Sequence, residues 1–212
     1  MKQLFFIIFT ILIFNACSSK QEKQEYNKPA VYWYNKMLKE ISSYQVDKAD
    51  TTFTSLESEH RNSPLLPSAT MIIALTHLDN EEYQLAVYYL DEYIKRFENN
   101  KFQDYVRYLK IKAKFMAFKQ HFRDQKLIDE TLTDINTFME EYPHSSYIYL
   151  VGTMQSRLYM AKASLDNEIA GLYGRLDKPK AAKVYKEKAK TSWKELNTIQ
   201  DVDVPWYRAI FE

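Results

Sequence analysis

The residues able to do chemistry are scattered along this chain. Its four histidines have no second histidine or cysteine at the spacing that metal ligands require; they are His60, His77, His121 and His144. We interpret each as a residue of a repeat surface or a core edge, and we expect no metal and no cofactor. Three glycines hardly suffice for a phosphate-binding loop or a nucleophile elbow. The sequence therefore predicts no catalytic site, and an envelope enzyme is the least favoured interpretation.

One cysteine stands where covalent modification is expected. Leu4 to Phe14 is apolar except for Thr10, and this stretch covers only roughly half of a ~30 Å hydrocarbon core, as a signal sequence does. It ends in Phe14-Asn15-Ala16-Cys17, which is similar to the lipobox of bacterial lipoproteins. We predict a signal peptide over residues 1–16 and diacylation of Cys17, which would hold the protein on the membrane. A signal peptide cleaved elsewhere and an uncleaved anchor that buries the cysteine are the alternatives.

The stretch after the cysteine predicts where the protein goes. Residues 17–28 are polar and charged and read as a flexible, lipidated tether, followed by one domain over residues 29–212. Ser18 stands where an aspartate would retain an enteric lipoprotein in the inner membrane, so we predict the periplasmic side of the outer membrane. The formal net charge of +1 falls to zero once Lys2 is removed. Such a balance predicts no nucleic-acid partner.

Apolar residues recur at helical spacing through the domain, in hairpin units. The clearest unit, residues 69–100, has two apolar stripes separated by a polar turn, and its length is close to the ~34-residue tetratricopeptide period. Ala74 and Ala86 stand where the two helices must approach closely. Ala49 precedes Arg61 by the same interval at which Ala86 precedes Glu98. The repeated spacing favours a repeat protein over a non-repetitive helical bundle.

The predicted fold class is all-α, a tetratricopeptide-like solenoid of about four helix hairpins. A third unit runs to the stop at Tyr142-Pro143-His144-Ser145, with Thr131 at its small position. The fourth unit has a long first helix, over about residues 146–175, and a lysine-rich second helix from Lys178. A lysine-rich helix usually presents these side chains to solvent. The functional alternative is that the lysines form a docking stripe for an acidic partner. Stacked hairpins form a concave surface suited to extended peptides or another protein's domain.

Four motifs make the chain resemble the BamD family, lipoproteins of the machinery that assembles outer-membrane β-barrels. The motifs are Trp33-Tyr34-Asn35 followed by Ala49, Asn62-Ser63-Pro64, Asp104-Tyr105-Val106-Arg107-Tyr108-Leu109, and Arg123-Asp124-Gln125 followed by the Tyr-Pro-x-Ser stop. The last is the most specific, because generic tetratricopeptide repeats lack it. The resemblance covers residues 30–175 well and the remainder poorly.

The resemblance implies an assembly factor with two partners. In the family, C-terminal repeats bind the periplasmic POTRA region of the insertase BamA through an arginine aligned near Lys183 and Lys186, where this chain has lysines. The N-terminal repeats resemble those that receive unfolded barrel precursors through their C-terminal signal. Repeat geometry predicts which residues line that concave face: Tyr34, Asn35, Met71, Leu75 and Leu78. The alternative function is an envelope-organising lipoprotein that links cell-wall or division components.

Overall fold

The computed structural model describes residues 25–97, 102–120 and 124–193. This part of the chain forms helices joined by short turns, without a strand. The helices are α1 (Ala30–Ser42), α2 (Val46–Glu59), α3 (Leu66–Asp79), α4 (Tyr83–Arg96), α5 (Gln103–Gln120), α6 (Gln125–Glu141), α7 (Ile148–Arg175) and α8 (Pro179–Ser192).

Each helix packs against the next, so the chain forms four stacked hairpins: α1–α2, α3–α4, α5–α6 and α7–α8. The small residues at the crossing points are fully covered. Ala49, Ala86 and Thr131 are each 0% exposed, and Ala74 is 1% exposed. The prediction of an all-α, tetratricopeptide-like solenoid is confirmed. Thr131 fits because its hydroxyl donates to the Leu127 carbonyl one turn earlier, 2.6 Å away, so no polar group is left unpaired.

Three hairpins turn with the same backbone geometry. Tyr44, Glu81 and Asp177 each have φ between 53° and 63°, in the left-handed region (58°, 62° and 54°). The residue after each one donates its N–H to a carbonyl five residues earlier, at 2.9 Å in all three turns. This is the helix C-terminal motif that glycine normally completes. The chain therefore repeats a glycine turn without glycine.

Replacing Tyr44 or Asp177 by glycine should raise the free energy of unfolding by about 0.5–1 kcal/mol each, since the left-handed conformation strains a residue with a Cβ. Tyr44 is 92% exposed, so its side chain contributes little packing. Urea denaturation followed by circular dichroism measures the change. The control is Ser43→Gly, because Ser43 has a φ of −97° and gains nothing from glycine. Stabilisation by Ser43→Gly, or none by Tyr44→Gly, would contradict this account of the turns.

Two of the turns between hairpins also share one hydrogen-bond pattern. The Ser63 N–H donates to the His60 carbonyl at 2.9 Å, and its hydroxyl accepts from Leu65 N–H at 3.2 Å. Ser145 repeats both contacts with Tyr142 and Tyr147, at 3.1 Å and 3.2 Å. The serines of the Asn-Ser-Pro and Tyr-Pro-x-Ser motifs therefore make the same two hydrogen bonds. Each serine fixes the turn that leads into the next hairpin.

The core consists of two apolar clusters that share α5. One face of α5 contributes Val106, Leu109 and Ala113 to a cluster formed with α1–α4. Another face contributes Ile111, Phe115 and Phe118 to a cluster with α6 and α7. No residue of α5 from 103 to 118 is classed as exposed. The helix therefore couples the N-terminal and C-terminal halves of the stack.

The last hairpin has a smaller share of buried residues than the others. Of the residues of α8 only Ala189 is buried, and beyond residue 166 the long helix α7 buries only Ala170. Leu172, Leu176 and Val184 leave 46%, 54% and 51% of their surface exposed. This end of the stack thus offers uncovered apolar surface. Among the described helices, none is both long and apolar enough to cross a membrane.

Candidate partner-binding surfaces

Four of the five residues predicted for the concave face are accessible. Asn35 is exposed, while Tyr34, Met71 and Leu75 are half-buried. These three side chains pack against the first core cluster from outside. Together they place an aromatic ring, a thioether and an isobutyl group along the inner helices α1 and α3. Such a surface suits apolar side chains of an extended segment.

Leu78, the fifth, belongs to the core instead. It is 8% exposed and lies in the first core cluster. The reason is that α3 lies between α2 and α4, so that from residue 66 to 78 only Ser68 is exposed. The repeat pattern predicts a solvent-facing position for Leu78, and the packing of α2 and α4 on α3 covers it.

A tyrosine cluster on α5 and at the start of α7 was not predicted as a site. Tyr108 stacks on Tyr147 with ring centroids 4.6 Å apart and an interplanar angle of 11°. Tyr105 lies 5.4 Å from Tyr147 and 6.4 Å from Tyr108. Burial, followed by the nearby Tyr105 and Tyr147, raises the pKa of Tyr108. The three rings, each half-buried, form a partly open aromatic surface.

Two of the sequence motifs hold this cluster in place. Asp104 accepts a hydrogen bond from the Ser145 hydroxyl at 2.8 Å, which fixes the start of α5 against the turn before α7. Arg107 pairs with Glu141 at 3.5 Å and lies 5.7 Å from the centroid of the Tyr142 ring. The motif at 104–109 and the motif at 142–145 are therefore parts of one structure.

Charged residues on the opposite side of α5 identify its outer face. Lys110 pairs with Asp91 of α4 at 2.8 Å and with Asp134 of α6 at 3.7 Å, and Lys114 pairs with Asp134 at 2.7 Å. At ~100° per residue, Tyr105 and Tyr108 project roughly opposite to these lysines. The tyrosine cluster thus faces away from the outer helices α4 and α6.

The two predicted docking lysines are on the surface of the last hairpin. Lys183 and Lys186 of α8 are exposed, and neither forms an ion pair with a residue that the structure describes. Val184, next to Lys183 in sequence, leaves half of its surface uncovered. The neighbouring Tyr185 stacks on Tyr173 of α7 at 5.5 Å, which joins the two helices. At ~100° per residue, Lys183 and Lys186 share one face of α8, and Val184 points away from that face.

The Arg-Asp-Gln motif divides into a helix start and a part outside the described residues. Asp124 is the N-cap of α6, and its Oδ1 accepts from the Leu127 N–H at 2.9 Å. Gln125 is the exposed first residue of that helix, and Arg123 lies outside the described residues. Asp124 therefore has a structural role, because its carboxylate accepts a hydrogen bond from an otherwise free N–H of the first turn of α6.

The predicted lipid attachment site, Cys17, lies outside the described residues, but the end of the predicted tether does not. The Asn27 N–H donates to Glu59 at 3.3 Å, and a ring nitrogen of His60 lies 2.7 Å from the Lys28 carbonyl. Glu25 accepts hydrogen bonds from Tyr32 at 2.6 Å and Lys36 at 2.9 Å. Residues 25–28 are thus held on the first hairpin, at the end of the molecule far from α8 along the stack.

His77 lies at the edge of the core, covered from solvent but in contact with partly exposed carboxylates. It is 1% exposed, and its two ring nitrogens face Asp50 of α2 at 2.9 Å and Glu82, before α4, at 2.6 Å. Its ring stacks on Tyr89 of α4, whose hydroxyl donates to the same oxygen of Asp50 at 2.9 Å. In the described ranges, no group of three or more His, Cys, Asp or Glu is arranged to hold a metal ion. The histidine therefore joins three helices as a structural clamp.

The sequence is similar to that of a known protein family over most of its length. Residues 26–194 match the family model YfiO, described as outer membrane lipoprotein. The chain is also similar to the outer membrane protein assembly factor BamD of Helicobacter pylori (strain ATCC 700392 / 26695). The two are 37% identical over 210 residues, which cover 99% of this chain and 96% of that relative.

Proposed function

This chain belongs to the YfiO family of outer membrane lipoproteins, and from that premise we propose how it works. Its role is in outer-membrane protein assembly. We propose that it does so without catalysis, as a lipoprotein anchored through Cys17 on the periplasmic side of the outer membrane. The observation that supports this function best is the match along almost the whole chain to an assembly factor. It does not favour the envelope-organising alternative.

The first proposed contact is with the POTRA region of the barrel insertase, through the last hairpin. Lys183 and Lys186 have no ion-pair partner among the described residues, and the exposed side chains of Leu172 and Leu176 lie on the same hairpin. An acidic partner surface would pair with both lysines, and apolar side chains of the partner would cover Leu172 and Leu176. Lysine supplies charge without the bidentate geometry of arginine, so we expect electrostatic attraction to contribute chiefly to the rate of association.

Reversing the charge of both lysines, in Lys183→Glu/Lys186→Glu, should weaken binding to the POTRA region of the same organism about tenfold or more, because two attractions become repulsions. The experiment is isothermal calorimetry with the full lipoprotein in detergent. We expect a micromolar or tighter complex for the unaltered protein.

The matched control is Lys95→Glu/Lys126→Glu, with the same change of charge on α4 and α6. These lysines are 78% and 86% exposed, and their surface ion pairs contribute little. The control should bind like the unaltered protein. Equal weakening of both double variants would assign the effect to net charge and contradict docking through α8.

The second proposed contact is with unfolded barrel precursors, on the concave face. Tyr34, Asn35, Met71 and Leu75 lie along α1 and α3, and the tyrosine cluster continues the inner surface on α5 and α7. Aromatic rings bind the apolar and aromatic side chains of an extended peptide at low entropic cost, since a tyrosine has few rotatable bonds. We propose that this surface receives the aromatic C-terminal end of the precursor.

Leu75→Asp should weaken binding of a peptide that ends in phenylalanine about fivefold or more, because a carboxylate replaces an apolar contact and must lose its water on binding. Fluorescence anisotropy of a labelled peptide measures the affinity. The control is Leu85→Asp on the outer helix α4, where the leucine is 45% exposed. Equal losses in the two variants, or a loss for Leu85→Asp alone, would place peptide binding off the concave face.

A further inference from the structure

A groove separate from both proposed contacts runs between α6, α7 and α8. Its volume is about 470 Å³, enough for several side chains. Ile128 of α6, Leu165 of α7 and Val184 of α8 contribute apolar walls, and Thr191 and Ser192 lie at the end of the groove where α8 stops. The groove therefore extends from the apolar side chains to the C-terminal end of α8.

The groove contains one carboxylate without a partner. Asp166 of α7 is 5% exposed, and its Oδ2 has no hydrogen-bond partner among the residues that the structure describes. Burial raises the pKa of this carboxyl group, more than the nearby Lys162 and Lys188 lower it. A buried carboxyl oxygen without a donor is costly, so the position is suited to an added cation.

The lysines that line the groove are already engaged. Lys162 is paired with Asp129, and the Lys188 ammonium lies 4.7 Å from the centroid of the Tyr185 ring. The remaining charged group of the lining is Glu187, which is exposed. With three carboxylates and two lysines, the lining has an excess of negative charge. A guanidinium group would match it, because it can bind a carboxylate through two parallel hydrogen bonds.

The chain carries such a group in the sequence that follows α8. Residues 194–212 follow directly on α8 and contain one arginine, Arg208, with Trp206, Ile210 and Phe211 close to it in sequence. Fourteen residues lie between Trp193 and Arg208, and this stretch of chain reaches up to about 50 Å when extended. The distance along α8 from Val184 to Ser192 is only about 12 Å. A segment tethered this closely has an effective concentration of millimolar order.

We infer that the groove between α6, α7 and α8 is the docking site of the chain's own C-terminal segment, with the Arg208 guanidinium bound to the Asp166 carboxylate. The apolar residues around Arg208 cover the walls formed by Ile128, Leu165 and Val184. The segment then holds α8 on the rest of the stack. This contact adds to the small burial of that helix, of which only Ala189 is buried. This inference does not depend on the proposed partners.

Hydrogen–deuterium exchange of the full lipoprotein in detergent, measured by mass spectrometry, tests this pairing. Arg208→Gln and Asp166→Asn should each speed exchange of the α8 amides about tenfold, the effect of losing one charged hydrogen bond. The double variant should exchange no faster than either single variant, since both remove one interaction. The control, Arg157→Gln, makes the same change of charge at an exposed position of α7 and should leave α8 unaffected.

Several results would overturn the inference. Exchange of α8 in Arg208→Gln at the level of the control would mean that the segment does not bind through Arg208. Effects that add in the double variant would mean that the two residues act apart. An effect of Arg208→Gln that grows with protein concentration would show that a second copy supplies the arginine. Protection that appears only after a partner protein is added would assign the groove to that partner.

Discussion

Phe138→Ala is expected to lower the free energy of unfolding by about 3–5 kcal/mol, the usual cost of removing a buried phenylalanine. Phe138 of α6 is 1% exposed and contacts Tyr142 with ring centroids 5.5 Å apart. It lies in the second core cluster, to which α5, α6 and α7 all contribute. No neighbouring element can move in to fill the cavity without disturbing one of these helices.

The loss should be larger for the C-terminal half than for the N-terminal half. The first core cluster, which α1–α4 form with one face of α5, does not contain Phe138. Urea denaturation gives the total effect, and hydrogen exchange should show faster opening of α6–α8 than of α1–α4. Tyr149→Ala is the control, since Tyr149 is 85% exposed and should cost little. A uniform acceleration across all helices would show that the two halves unfold as one unit.

His77→Phe is expected to cost about 2–3 kcal/mol, because two buried hydrogen bonds to carboxylates are lost while the ring volume is kept. The phenylalanine can still stack on Tyr89, which separates the electrostatic contribution from packing. Asp50 keeps its hydrogen bond from Tyr89, so the carboxylate is not left wholly unpaired. Urea denaturation near pH 6 measures the difference between the two proteins.

The contribution of His77 should decline as the pH rises. Burial lowers the pKa of His77, but the hydrogen bonds that its ring donates to Asp50 and Glu82 outweigh burial, and the net pKa is raised. The folded state therefore favours the charged ring, whose full contribution is present below the unfolded pKa of about 6.5. The contribution is lost as the pH rises through the higher folded pKa. The stability gap between the unaltered protein and His77→Phe should shrink on going from about pH 6 to about pH 9.

A matched substitution separates the clamp from histidine titration in general. His144 is exposed, and His144→Gln should retain both the stability and the pH dependence of the unaltered protein. A gap between the unaltered protein and His77→Phe that stays constant across this pH range would mean that folding does not change the pKa of His77, and would contradict the charged clamp.

The helices and their turns could be predicted because they depend on neighbours in sequence. The apolar periodicity and the polar turns predict the four hairpins. The small residues Ala49 and Ala86 mark the positions in each repeat at which the paired helices approach closely. The predicted long helix over about residues 146–175 is α7, Ile148–Arg175. Local patterns predict this much because helix formation and capping act within one or two turns.

The clamp and the tyrosine cluster could not be predicted because they depend on residues of different repeats. Asp50 approaches His77 only once the second hairpin packs on the first, and Tyr147 approaches Tyr108 only once α7 packs on α5. A signal was present in the Asp104-Tyr105 motif, whose aspartate binds Ser145 of the other motif. Leu78 shows the converse case, in which repeat phase predicts a surface position that tertiary packing covers.

The central claim is that this lipoprotein promotes insertion of β-barrels into the outer membrane. The most direct measurement is the rate of barrel folding in lipid vesicles that contain the insertase, with and without the full lipoprotein. We predict faster folding with it, a smaller gain with Lys183→Glu/Lys186→Glu, and a smaller gain with Cys17→Ser, which lacks the proposed anchor. An unchanged folding rate, with the lipoprotein shown to be folded and present on the vesicles, would contradict the account.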